Sequence, residues 1–245
     1  MKPERSGEGG LSRRDFLRGL LLFLEALVLG GWLPRREGEE SLPLEEIKLP
    51  RPRLRGRLSL EEALARRRSM RRFIKRGLTL DELSQLLWAA QGITVGWGGR
   101  TAPSAGALYP LEVYAVTPEG LYRYLPQDHK IVLRSRGDLR PRLWEVGFWQ
   151  DAIKEAPVVF VIAAVYERTS VAYGARAERY VQLEAGHAAQ NLLLQAVALS
   201  LGGVPIGAFY DEGVREVLSL PADHRPLYLI PVGHPKRSPW HIGGM

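Results

Sequence analysis

Arg67, Ser69 and Arg71 stand at alternating positions in the run RRRSMRRFIKR, which places seven basic residues between 66 and 76. In an extended backbone alternate side chains share a face, so two planar guanidinium forks would flank one hydroxyl. That set suits a phosphate together with the polar edge of a heterocycle. Two other readings stay open: a solvated helix end, and a nucleic-acid surface, which the lack of interleaved aromatics and of any nucleic-acid module disfavours. The stretch RTAPSAGALYP (100–110) is the opposite in kind, because its Pro103, Ser104, Ala105 and Gly106 offer almost no acid-base chemistry. No G-x-S-x-G elbow is present and Ser104 has no basic neighbour in its motif, so a serine nucleophile finds no support. The chain has no cysteine, which excludes disulfides, thiolate nucleophiles, iron-sulfur clusters and a lipoprotein anchor. Its five histidines show none of the spacings of a metal site. His187, in the middle of a helical pattern, reads as a hydrogen-bonded core or interface residue.

These residues need elements to hold them. Ser59 with Glu62 and Thr79 with Glu82 form two capping boxes, each opening an apolar-periodic helix, and the second helix stops at Gln91-Gly92. LEVYAVT (111–117) alternates as a strand and turns through PEG into LYRYL, a hairpin. PVVFVIAAV (157–165) reads as a strand buried on both faces. The longest helix runs from about 175 to 201, where Ala185, Gly186, Ala188 and Ala189 form a small-residue seam for the core or a subunit contact. GVPIGAFYD follows as a loop, GVREVLSL as a short helix and RPLYLIPVG as a closing strand. Strands and helices do not alternate as β-α-β units, so the fold class is α+β. The 245 residues carry 45% hydrophobic side chains, enough for one catalytic-size domain, and a net charge of +7 that suits an anionic ligand, a phosphate or a membrane surface. Residues 35–57, rich in Pro and mixed charge, read as a linker and arm between an N-terminal segment (1–34) and the domain proper (58–245).

Taken in order, R-R-S-x-R-x-F after an initial helix, LLWAAQGIT, PSAGALYPLEVY and VPIGAFYD resemble the nitroreductase-like flavoprotein superfamily. In particular they resemble the branch that includes azoline dehydrogenases, over roughly residues 57–237. The resemblance implies a mixed or antiparallel central sheet flanked by helices, FMN as cofactor, NAD(P)H as a reductant and an obligate homodimer with shared flavin sites. It assigns Arg67, Arg68, Ser69 and Arg71 to the ribityl phosphate and pyrimidine edge of FMN. Pro103, Ser104, Ala105 and Gly106 would form a loop along the flavin, often that of the partner subunit. Pro205, Ile206, Gly207 and Ala208 would lie under the isoalloxazine ring with backbone N–H groups toward its reactive edge. Lys236 and Arg237 would supply a late basic phosphate ligand. Small residues let backbone donors approach a flat ring, and positive charge near it favours the reduced anion, leaving hydride chemistry to the cofactor.

The Lys-Tyr pair of azoline dehydrogenases is replaced here by Ala172-Tyr173, so the lysine is missing and Tyr173 is the candidate catalytic proton donor. Trp97, Tyr109, Trp149 and Phe209 are candidate walls of an aromatic slot or plain core. The expected activity is reduction of an electron-poor small molecule such as a nitroaromatic or quinone. The alternatives are oxidation of an azoline or related heterocycle, and flavin binding without catalysis. At the N-terminus, Ser12-Arg13-Arg14-Asp15-Phe16-Leu17 and the apolar run to Leu33 resemble a twin-arginine export signal, with Glu25 interrupting the run and no A-x-A site after it. Export of the folded protein is therefore expected, with possible membrane contact through residues 12–33.

Overall fold

The computed structural model describes residues 45–236. The twin-arginine-like segment, the first part of the 35–57 arm and Arg237 lie outside the described residues. The chain builds one seven-stranded sheet: β1 (Glu46–Lys48), β2 (Leu111–Val116), β3 (Gly120–Leu125), β4 (Lys130–Arg136), β5 (Val158–Ala164), β6 (Gly202–Gly203) and β7 (Arg225–Gly233), in spatial order β1-β4-β3-β2-β5-β7-β6. Every strand pair is antiparallel.

Two helices cover one face: α1 (Leu60–Arg66) leads to α2 (Leu80–Gln91), which packs with the 22-residue helix Ala177–Ala198 (α6). On the other face lie α3 (Arg140–Val146), α4 (Asp151–Glu155) and α7 (Asp211–Val217), while α5 (Glu167–Tyr173) follows β5. β5 shows why the sheet has two cores. Val158, Phe160, Ile162 and Ala164 face α2 and α6, whereas Val159, Val161 and Ala163 face α3, α4 and α7. Both capping boxes form as the sequence requires, with Glu62 N–H on Ser59 Oγ at 3.1 Å and Glu82 N–H on Thr79 Oγ1 at 3.2 Å. Of the small-residue seam, Ala185, Ala188 and Ala189 are buried in the core beneath α6.

The arm is more ordered than its composition implies. Glu46–Lys48 pairs with β4 as an edge strand, and Leu49 joins the core. Pro50 is held by His129: the ring Nε2 donates to the Pro50 carbonyl at 2.9 Å, Nδ1 accepts from Tyr124 Oη at 2.9 Å, and Ser84 Oγ also donates to that carbonyl at 2.6 Å. Burial holds the His129 ring below its ordinary pKa, so the neutral form is favoured. His187 is exposed on α6, so of its two expected places the core of its own chain is excluded.

Candidate active site

The basic run leaves helix geometry at Arg67, whose backbone turns extended (φ −57°, ψ 121°). Arg68 folds back over the helix end, where its Nη1 donates to the carbonyls of Ala65 and Arg67, both at 2.8 Å. A cation there complements the negative end of the helix. The next residues run beside Gly203: Ser69 pairs with it in parallel and Met70 N–H donates to its carbonyl at 3.0 Å. Such an approach needs glycine, because a Cβ on Gly202 would lie 2.6 Å from Met70 Cγ. Phe73 is buried and bridges Pro235, while Lys236 N–H donates to the Arg72 carbonyl at 3.0 Å. Ser69 and Arg71 remain exposed. Lys236 lines a separate cavity with Arg76, Arg140 and Lys154 rather than the one Arg71 lines.

This pairing brings the basic strand beside residues 205–208. Of the four backbone donors expected to face a ligand, Pro205 has none and Ile206 is engaged in the fold, donating to Leu229 at 2.8 Å and accepting from it at 3.0 Å. The expected N–H donors are thus limited to Gly207 and Ala208, while Ile206 holds the segment to the sheet. Gly207 and Ala208 are exposed, and their N–H groups have no partner among the described residues. A Cβ on Gly207 would make only an ordinary 3.8 Å contact with Tyr228, so the protein's own packing does not demand glycine there. The room it leaves is on the outer, ligand-accessible side.

Gln150 closes this cleft and was not legible in the sequence. Its amide donates to the carbonyls of Ala208 and Gly147, each at 2.9 Å, and it lines a cavity of about 300 Å³ with Arg71 and Ile206. Phe148 and Trp149, just before it, both adopt φ 55° although neither is glycine. Such backbone costs about 1–3 kcal/mol per residue and persists where the surroundings impose it. Both aromatic rings are exposed, Trp149 by 64%. Trp97 is likewise exposed and Phe209 is buried, and none of Trp97, Tyr109, Trp149 and Phe209 lines the cavity at Arg71.

The loop 103–106 does not line that cavity. Ser104 Oγ accepts the Tyr109 N–H at 2.9 Å, and residues 105–107 form a single tight turn with Gly106 at φ +62°. A Cβ on Gly106 would stand 3.0 Å from the hydroxyl oxygen of Tyr173, whose ring meets Tyr180 edge-on at 5.0 Å. Beneath the loop, Glu184 of α6 is 3% exposed and its Oε1 has no hydrogen-bond partner. Burial pushes its carboxyl up to about 7, against the opposing pull of the Ser104 hydroxyl and the Arg100 guanidinium. No hydrogen bond or backbone bridge among the described residues joins this loop to the basic strand or to 205–208. Two of the three motifs therefore run side by side within one chain, and no hydrogen bond or bridge among the described residues ties the third, at Tyr173, to either.

Known proteins share this chain's sequence family and fold. The Nitroreductase family model fits residues 64–234. A protein of Methanocaldococcus jannaschii that carries a provisional nitroreductase name is 45% identical over 202 residues, spanning 80% of this chain and 96% of its own. A solved structure from Ralstonia eutropha JMP134, also provisionally named a nitroreductase, superposes with a TM-score of 0.73 at 34% identity, covering 84% of this chain and 96% of that one. The NADPH:FMN oxidoreductase of Vibrio harveyi shares the fold at a TM-score of 0.56 and 22% identity, over 73% of this chain and 70% of that one.

Proposed function

Because the chain belongs to the nitroreductase family and is an oxidoreductase of that kind, we propose that it is a homodimeric FMN enzyme that takes electrons from a reductant such as NAD(P)H and passes them to an electron-poor nitroaromatic or quinone. The observation that supports the reading is the Ser69–Gly203 pairing, which runs the backbone of the basic strand beside the segment that leads to Gly207 and Ala208. Those residues fit the group: Arg67 and Arg71 neutralise a phosphate, Ser69 donates to it, and Gly207 and Ala208 leave space and N–H groups for a planar heteroaromatic edge. When bound, FMN supplies the two-electron transfer itself. The chain's part is to bind and orient it. The separate placement of residues 103–106 supports a site completed by the loop of a second copy.

Purified full-length protein should be yellow or should take up added FMN, followed by flavin fluorescence quenching. Arg71→Gln should weaken uptake by about tenfold or more, the size of one charged hydrogen bond. A protein that stays colourless with excess FMN overturns the reading.

Oxidation of a small heterocycle is a second reading, favoured by the half-buried Tyr173 whose hydroxyl reaches Gly106. Tyr173→Phe with unchanged turnover on every azoline tested argues against it. The address at Ser12–Leu17 supports export by the twin-arginine route, with membrane contact through residues 12–33. Replacing Arg13 and Arg14 by Lys should retain the protein in the cytoplasm, as read by cell fractionation.

A further inference from the structure

Away from the cleft, Arg100, Arg123 and Arg168 converge with Gln91 and Glu112 on a cavity of about 240 Å³ at the ends of β2 and β3. Glu112 serves two of the arginines: its Oε2 lies 2.9 Å from Arg123 Nη2 and its Oε1 lies 2.6 Å from Arg168 Nη2. Arg100 has no carboxylate at ion-pair distance among the described residues. Its Nη1 donates to Gln91 Oε1 at 2.8 Å and its guanidinium lies 4.5 Å from the centre of the Tyr109 ring. Two donors are left over, Arg100 Nε and Gln91 Nε2, both buried without a partner, and Gln91 is 1% exposed. Orphaned donors of this kind cost stability unless something accepts from them. Burial also holds the Arg100 guanidinium below its ordinary pKa, with Glu112 and Glu184 only partly compensating from a distance. The cluster therefore has a surplus of positive charge, spare donors and room.

We propose that this cavity binds a small oxyanion, a carboxylate or inorganic phosphate, held by Arg100 and Gln91 and balanced by Arg123 and Arg168. The site does not depend on flavin binding. It has a structural consequence, because Tyr109, at the end of the 103–109 loop, is tied to two of its arginines: the Arg100 backbone N–H donates to Tyr109 Oη at 3.2 Å, and Arg168 Nη1 donates to the Tyr109 carbonyl at 3.2 Å. An anion here draws the two arginines together and stiffens the loop from behind.

The test is thermal unfolding of the full-length protein against rising inorganic phosphate and, separately, acetate, each compared with chloride at matched ionic strength. A saturable rise in unfolding temperature with either anion is expected, and the anion with the lower midpoint names the class. Gln91→Met, which removes the spare amide at similar volume and with it the acceptor of Arg100 Nη1, should lower the unfolding temperature without anion and raise the midpoint by about tenfold. Arg100→Lys, which keeps the charge and loses the fork, should do the same. Arg71→Gln, at the proposed flavin phosphate position, should leave the response intact, so failure of the flavin reading and of this one are told apart. No saturable rise, a response unchanged in both cavity variants, or one lost in Arg71→Gln overturns the proposal.

Discussion

Glu184 places a carboxyl where burial favours its proton, so it links stability to pH. In the unfolded chain it ionises near the ordinary value of 4.5, whereas in the fold it does so at about 7. Between those values the folded state holds more protons, and stability falls as pH rises through that window. The penalty is complete above pH 7 and amounts to at most about 3 kcal/mol. Glu184→Gln should flatten this limb in denaturant titrations at pH 5 and pH 8, with the gain at pH 8. At Gly106 the constraint is steric: φ +62° combines with the approach of Tyr173. Gly106→Ala should cost about 1 kcal/mol through the backbone alone, and Tyr173→Phe in the same chain should recover only the part due to the hydroxyl contact. The extended course of the chain through Ser69 was legible because alternation in a basic run has a simple geometric meaning. Glu184, Arg100 and Gln150 were not, since which face of α6 is buried and which loop covers it are settled by distant strands.

At the scale of elements, what could be read locally is what formed. Two capping boxes, a hairpin turn and a doubly buried strand each announce themselves within a dozen residues. The helices α3 and α4 span only seven and five residues, too few for a 3.6-residue period to register. β1 is shorter still, at three residues. It exists because β4 offers a partner and because the clasp of His129, Tyr124 and Ser84 fixes the chain just after it. Removing that clasp should matter. His129→Ala leaves the buried Tyr124 hydroxyl without its partner and removes one of the two donors on the Pro50 carbonyl, and should destabilise by about 2–3 kcal/mol in urea unfolding. The wild-type histidine also has an acid limb of its own: with its folded pKa depressed below 6.5, stability is retained above that value and declines as pH falls below it. His129→Ala should lack this limb.

For the whole molecule, the division of the site predicts its assembly. The cleft at Arg71 and the loop at Gly106 belong to one chain yet are not joined within it. If each completes the other's site across an interface, the native mass is twice 27.4 kDa, which light scattering after gel filtration measures directly; a monomer with full flavin affinity would contradict it. The sheet's outer boundary carries a different consequence. β1 is the strip that covers the free side of β4, with Glu46 and Lys130 joined at 2.9 Å across it. A chain begun at Ser59, where helical periodicity starts, would leave the seven-residue β4 with a row of open backbone donors and acceptors. Such a protein would be expected to recruit strands from its neighbours and precipitate as sheet-rich aggregates. The modest Pro-rich arm thus acts as a hem that keeps the fabric from fraying into other molecules.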